Sequence, residues 1–409
     1  MTFKQATRVA TLTLQCSIVA IILVLVPMPA GAQQPDPESA GGIHLGPIEL
    51  SPSVRWRTEY DDNVYRSTSQ PISDLISTFG TQAGIQGRSH RVALTGTAVA
   101  DWIHYSELAS ERGASLRTGF KVDFLFNRIT PYVSTAVNST RERVSPEFDS
   151  RPRYKQSDFA GGAVVRVGGK TSLDLSAGRS STIYDGDAVE NGVNLSEALN
   201  GTTEHVGLSM IQDVTPLTHI VLTGEVGRDQ FASSTQKNSD NLRLTAGFDS
   251  DGRIKGSVRA GVRVRQPQNI DQLASRGFLL SMGTTTNVHD RVQLGLNASC
   301  DFEPSYRPEF DYYRSYGYAV SASYALRHSV KLRGTAARRY SDYSESAVSS
   351  LLADRPNVDL ETSYGTGISY QLGGLMSFNV GGTYTTRKSA LASRQYDGMV
   401  LTAGVSHAF

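Results

Sequence analysis

Leu116-Arg117-Thr118-Gly119-Phe120-Lys121-Val122-Asp123-Phe124-Leu125-Phe126 separates cleanly by parity. Leu116, Thr118, Phe120, Val122, Phe124 and Phe126 fall on one face of an extended chain, and Arg117, Gly119, Lys121 and Asp123 on the other. Side chains of a strand alternate between its faces, so one face suits lipid and the other water. The segment from Arg253 to Arg265 repeats the pattern. Ile254, Gly256, Val258, Ala260, Val262 and Val264 oppose Arg253, Lys255, Ser257, Arg259, Gly261, Arg263 and Arg265.

Working outward, comparable runs recur from about Val54 to Phe409, and their connections alternate in length. Tight links are expected near 88–90, 127–128, 168–170, 214–217, 250–252, 289–290, 327–328 and 372–374. Longer loops are expected near 61–74, 106–113, 143–157, 185–202, 230–240, 267–276, 305–313, 344–356 and 387–395. A soluble sandwich shares the alternation of faces but not this alternation of links. The pattern predicts an all-β chain: a transmembrane antiparallel up-and-down barrel of about 18 strands (16–18) of roughly 10–14 residues each. Every backbone N–H and C=O in lipid must be satisfied by the protein itself, so a spanning sheet has to close. Short turns then lie on the periplasmic side and long loops outside. Of these loops, 185–202 is the best candidate to fold inward.

Residues 1–32 carry Lys4 and Arg8, the apolar run Ile18–Val26, Pro27, Pro29, and Ala30-Gly31-Ala32. This composition reads as a secretory signal peptide cleaved after Ala32. Residues 33–49 read as a short periplasmic leader and 50–409 as the barrel. The 40 basic residues lose Lys4 and Arg8 with the signal, leaving 38 against 39 acidic ones. Nothing in that balance points to a nucleic-acid partner. Of two cysteines only Cys300 remains after cleavage, which excludes an intrachain disulfide. No cofactor and no metal site is read from the sequence. Asp185-Gly186-Asp187-Ala188-Val189-Glu190 misses the register of a Ca²⁺-binding EF-hand, which needs Asp or Asn at its fifth position and Gly at its sixth. There is no H-E-x-x-H or G-x-S-x-G, and an enzyme is not expected.

Aromatic residues gather where strands meet long loops: Tyr60, Tyr65, Tyr105, Tyr184, Phe231, Tyr306, Phe310, Tyr312, Tyr313, Tyr340 and Tyr343. They suggest a membrane-interface girdle. The last strand places Met399, Leu401, Ala403, Val405 and Phe409 on one face. Its final aromatic resembles the signal that the barrel-assembly machinery reads on outer-membrane proteins.

The first strand ends in Glu59-Tyr60-Asp61-Asp62-Asn63-Val64-Tyr65-Arg66. With the signal peptide, the strand rhythm and Phe409, the set Tyr60, Asp61, Asp62, Asn63 and Arg66 resembles the β-barrel porin 2 family over nearly all of the mature chain. That resemblance implies an outer-membrane barrel, and some such barrels are encoded with exopolysaccharide or capsule genes. Read from the residues alone, Asp61, Asp62 and Asn63 form a polar turn.

The expected function is a porin-like passive channel for small hydrophilic solutes. The alternatives are an outer-membrane component of exopolysaccharide or capsule secretion, with polysaccharide or periplasmic export proteins as partners, and a non-conducting structural barrel. Pore-lining candidates are Arg253, Lys255, Arg259, Arg263 and Arg265, joined by Arg117, Lys121, Lys331 and Arg333. A basic lining would favour anions. The competing expectation is that these charges pair with inward-phase acids, Asp123, Asp174, Glu225, Asp301, Asp359 and Glu361, and merely fill the interior.

Overall fold

A computed structural model describes residues 42–143, 145–269, 274–308, 310–343 and 358–409. The signal peptide and residues 33–41 of the leader lie outside the described residues, as do 344–357 of one long loop.

Eighteen antiparallel strands close into a barrel. They are β1 (Ile48–Asp61), β2 (Asp74–Arg88), β3 (Val92–Tyr105), β4 (Gly113–Phe124), β5 (Ile129–Arg141) and β6 (Arg153–Arg166). Next come β7 (Thr171–Tyr184), β8 (Gly201–Thr215), β9 (Thr218–Phe231), β10 (Ser239–Asp251), β11 (Ile254–Pro267) and β12 (Ser275–His289). The last six are β13 (Val292–Pro304), β14 (Tyr312–Arg327), β15 (Val330–Asp342), β16 (Val358–Leu372), β17 (Met376–Lys388) and β18 (Tyr396–Ala408). Each pairs with its sequence neighbours, and β1 pairs with β18 to complete the ring. The strands are 12 to 16 residues long, somewhat longer than expected. Links of two to four residues alternate with links of seven to sixteen, so the predicted order of turns and loops is realised throughout. The barrel begins at Ile48, two residues before the expected boundary. The chain just ahead, Ile43–Leu45, folds back on Ile48–Leu50 through Gly46, whose φ is +65°.

One side-chain phase runs round the ring. In register with Arg117 stand Val99 on one side and Asn138 on the other, followed by Gln156 and Thr182. This phase faces the interior and carries Arg55, Asp101, Arg117, Glu225, Arg243, Arg263 and Glu361. The other phase faces outward and exposes Trp56, Trp102, Phe159, Leu175, Val226 and Val380. A soluble protein would bury such side chains. Here they form the lipid-facing band, and polar groups fill the inside. Leu116, Phe120 and Phe124 are all exposed on that outer side, as the opening segment predicts.

Candidate functional site

Polar interior residues are set by strand parity, but the shape of the barrel mouth is set by a loop. The link between β5 and β6, residues 142–152, turns into the barrel and is held against the opposite wall. Phe148 enters a buried cluster with Tyr154, Tyr184, Leu195, Leu199 and Tyr306, where an apolar ring is removed from water. Next to it, Glu147 is fully buried. The Ser305 hydroxyl donates to its carboxylate at 2.8 Å and the Tyr306 N–H at 3.1 Å. Burial nevertheless pushes the Glu147 carboxyl above the usual carboxylate range.

Two arginines complete the clamp. Arg387 on β17 binds the Asp149 carboxylate and donates to the Pro146 carbonyl at 3.2 Å. Arg394, in the β17–β18 loop, donates to the Glu147 carbonyl at 2.9 Å and to Asp359 of β16 at 2.8 Å. Both guanidinium side chains are almost wholly enclosed, so each must be paired to be tolerated. The hydroxyls of Ser145 and Tyr313 lie 3.0 Å apart, tying the loop to β14.

The loop 185–200 supports this insertion from behind. The Glu190 carboxylate accepts the N–H groups of Asp149 and Ser150 at 3.1 and 3.0 Å. Asn194 caps the short helix Leu195–Leu199 by accepting from Ser196 N–H at 2.8 Å, which presents Leu195 and Leu199 to Phe148. Lys237 is buried below, donating to the Ser305 carbonyl at 2.6 Å, and burial lowers its amine from the usual range. The expected inward folding of 185–202 is therefore seen, but the segment that reaches furthest is 145–152. Nothing in its local pattern marks it, because its partners lie about 40 to 250 residues away along the chain.

The basic ladder is corrected in two respects. Arg253 stands in the β10–β11 turn, before the strand begins, and does not line the wall. The remainder lies on the interior side but is largely neutralised by acids on neighbouring strands. Arg259 pairs with Asp249 at 2.7 Å, and Arg263 with Asp301 at 3.1 Å and Asp229 at 3.6 Å. Arg265 is buried, lies 3.3 Å from the centre of the Tyr312 ring and donates to Ser239 and to the Lys237 carbonyl. Lys255 remains exposed near the turn. Arg117 pairs with Asp101 and Glu142, and Lys121 with Asp123 at 2.8 Å.

Lys331 and Arg333 on β15 differ from the acid-paired Arg117, Lys121, Arg259 and Arg263. Their register neighbours are Ala325 and Ser369 for Lys331, and Ser323 and Gly367 for Arg333. Both are exposed on the interior phase, and among the described residues neither is in an ion pair. The surrounding wall from β14 to β18 is built of small and hydroxyl residues, including Ser321, Thr335, Gly365, Gly381 and Thr383.

The first-strand motif closes the barrel seam. Tyr60 points outward. Asp61 points inward, accepting the Asn63 N–H at 3.0 Å and pairing with Arg151 at 2.9 Å. Asp62 accepts the Met399 N–H at 2.7 Å, and the Asn63 amide donates to the Asp397 carbonyl at 3.1 Å. Both contacts join the end of β1 to β18. Arg66, at φ +52°, pairs with Glu361 at 3.0 Å and lies over the Tyr396 ring. No cluster of metal-ligating groups occurs among the described residues.

The aromatic girdle is also corrected. Tyr105, Tyr184, Tyr306, Phe310, Tyr313 and Tyr343 are buried rather than turned to lipid. Their positions bear the interior phase or lie in loops, where they pack the in-folded segments together. Only Tyr60 of the predicted set is among the large exposed apolar groups on the outer surface.

The chain matches the model of the family described as Putative beta-barrel porin 2 over residues 36–409. No curated relative matches it. Among solved structures it is similar to a BenF-like porin from Pseudomonas fluorescens Pf-5, with 10% identity, a TM-score of 0.50, and 88% of this chain and 99% of that one covered. It is also similar to Pseudomonas aeruginosa OpdK, solved with vanillate, at 12% identity and a TM-score of 0.48, covering 88% and 99% of the two chains. For Pseudomonas aeruginosa OpdL the identity is 11% and the TM-score 0.48, with 89% and 99% covered. At these identities the likeness concerns the fold.

Proposed function

Since the chain belongs to the beta-barrel porin 2 family and closes as an eighteen-stranded barrel, we propose that it passes small hydrophilic solutes through the outer membrane with a bias toward anions. Family and fold point to a channel rather than an enzyme. The observation that carries the anion bias is the β14–β18 wall, where Lys331 and Arg333 stand without carboxylate neighbours among small polar residues. Several other interior charges, among them Arg117, Lys121, Arg259 and Arg263, are paired with acids and contribute little net field. A single charge 4 Å from a permeating ion contributes about 1 kcal/mol in water-like surroundings, enough for a severalfold enrichment of the favoured sign.

Planar-bilayer recording in a KCl gradient tests this reading. The wild-type reversal potential should report anion preference, and Lys331→Glu with Arg333→Glu should abolish or invert it. An unchanged reversal potential removes these residues from the argument, and a barrel without conductance overturns the channel.

On the same reading the protein is exported by residues 1–32, cut after Ala32, and inserted by the barrel-assembly machinery through its last strand. Supporting the latter, Phe409 is exposed and its N–H is tied to the Pro52 carbonyl at 3.1 Å, at the turn end of the seam. N-terminal sequencing of the mature protein checks the cleavage point, and a start other than Gln33 refutes it. Deletion of Phe409 should lower the assembled yield, and an undiminished yield refutes its role.

A further inference from the structure

Near the loop end of the barrel, four charged side chains stand in one lateral row on the outer wall. They are Arg179 on β7, Glu204 on β8, Arg228 on β9 and Asp240 on β10, each the direct register partner of the next. Parity puts them on the phase of Leu175, Val226 and Leu242, which faces outward and is exposed. We propose that this row is the contact by which a second copy of this chain docks, the two barrels being related by a twofold axis along the membrane normal. The inference rests on the barrel fold and not on conduction.

The order of signs carries the argument. Along the wall the charges run plus, minus, plus, minus. A twofold axis between Glu204 and Arg228 reverses that order on the facing copy, so Glu204 meets Arg228 of the partner subunit and Arg179 meets Asp240 of the partner subunit. Each contact then occurs twice, as an isologous interface requires. A symmetric order, such as plus, minus, minus, plus, would set like charges against each other.

The four groups are free to make these contacts. Within one barrel Arg179 pairs with Glu204 at 3.3 Å and Arg228 with Asp240 at 2.7 Å, yet each of the four side chains keeps 49% to 64% of its surface exposed. A guanidinium has five N–H donors and a carboxylate about four acceptor sites, so these pairs leave capacity on the outward side. Exposed pairs contribute little to the stability of one barrel, and charge on a lipid-facing wall is costly in a depth-dependent way. A partner that completes the pairing accounts for four such groups in register.

The row has no net charge, which selects a second copy over an anionic lipid. A phosphate on Arg179 or Arg228 would lie beside the Glu204 carboxylate. Along the same strands the outer wall has a shallow depression of about 580 Å³. Gly224, Ala246 and Ala260 line it beside the exposed Leu208, Met210 and Leu222. It begins four residues from the charges, at Leu208 from Glu204 and at Gly224 from Arg228. Lipid tails are as apolar as leucine, so in a membrane apolar area alone does not drive association; close packing and polar pairing do. The depression lets the walls approach where the row supplies the pairing.

Sedimentation and pull-down of the full-length barrel in mild detergent test the interface. The wild type is expected at twice the monomer mass. Arg228→Glu, which sets Glu204 against a like charge, should weaken dimerisation at least tenfold. Reversing the whole row with Arg179→Glu, Glu204→Arg, Arg228→Glu and Asp240→Arg keeps the alternating order and should restore the dimer. Coexpressed with differently tagged wild type, the reversed barrel should copurify with it at least fivefold less than wild type does with wild type, because every facing pair is then of like sign. Retention of the compact, heat-modifiable band on gels establishes that each variant is folded. A monomeric or threefold wild type overturns the proposal, as does an undiminished dimer of the folded Arg228→Glu variant. A folded reversed barrel that stays monomeric, or that mixes freely with wild type, overturns it as well. A wild-type monomer that copurifies with phosphorylated lipid assigns the row to lipid and refutes the interface. Loss of conductance with sorting intact refutes the channel and leaves the interface standing.

Discussion

Glu147 concentrates the chemistry of the mouth in one side chain. It is fully buried, accepts hydrogen bonds from Ser305 and Tyr306, and has Arg394 and Tyr343 as its charged and phenolic neighbours. Because burial raises its pKa above the ordinary carboxylate value, the docked loop holds a proton that the undocked loop releases. Docking therefore weakens as pH rises through the window between those two values, by up to about 1.4 kcal/mol per pH unit, and the penalty is complete above the docked pKa. Lys237 acts in the opposite sense. Its lowered amine pKa makes burial easier as pH rises, in a window near the ordinary amine range. Glu147→Gln keeps an acceptor oxygen for the Tyr306 N–H, can donate its amide to the Ser305 hydroxyl, and cannot ionise. Single-channel recording between about pH 4 and 8 should show the wild-type open level becoming larger or noisier with rising pH and the variant level staying flat. Parallel pH profiles would exclude Glu147 as the source.

At the scale of elements, the loop 142–152 behaves as a strap held at its far end by Arg387 and Arg394. Breaking an enclosed ion pair by removing one partner costs about 3–5 kcal/mol, because the remaining charge stays buried. Arg387 is the more enclosed of the two and binds both Asp149 and the Pro146 carbonyl. Arg387→Ala should release the strap, raise mean conductance and make Arg143 and Glu147 more accessible to proteases or labels. Conductance equal to that of the wild type would mean that the strap does not narrow the path. Much at this scale was legible beforehand: turn positions, loop positions and the inward face of each strand follow from parity and link length. The fate of the β11 ladder was not. Along its own strand Arg259 and Arg263 have no acid, and only the lateral register brings Asp249, Asp229 and Asp301 beside them. The aromatic residues misled for a similar reason. Position at a strand end does not reveal whether a ring faces lipid or packs beneath an incoming loop.

For the whole molecule, closure depends on one seam between the first and last strands. Asp62 and Asn63 reach across it to Met399 and Asp397, and their contacts span more than 330 residues of chain. A hydrogen bond to a charged group contributes roughly 1.5–3 kcal/mol. Asp62→Ala should therefore lower the temperature at which the compact band on gels is lost, without changing ion selectivity. An unaltered transition would show that backbone pairing between β1 and β18 suffices alone.

The amino-acid order by itself determined the closed antiparallel barrel, its strand count, its lipid-facing side and its alternation of turns and loops. These follow from a local period of two and from the demand that lipid-embedded backbone groups be paired. Tertiary structure alone decided which charges are compensated and that 145–152 reaches further inward than 185–202. Those outcomes depend on contacts between strands far apart in sequence, and parity along one strand carries no information about its neighbours' charges.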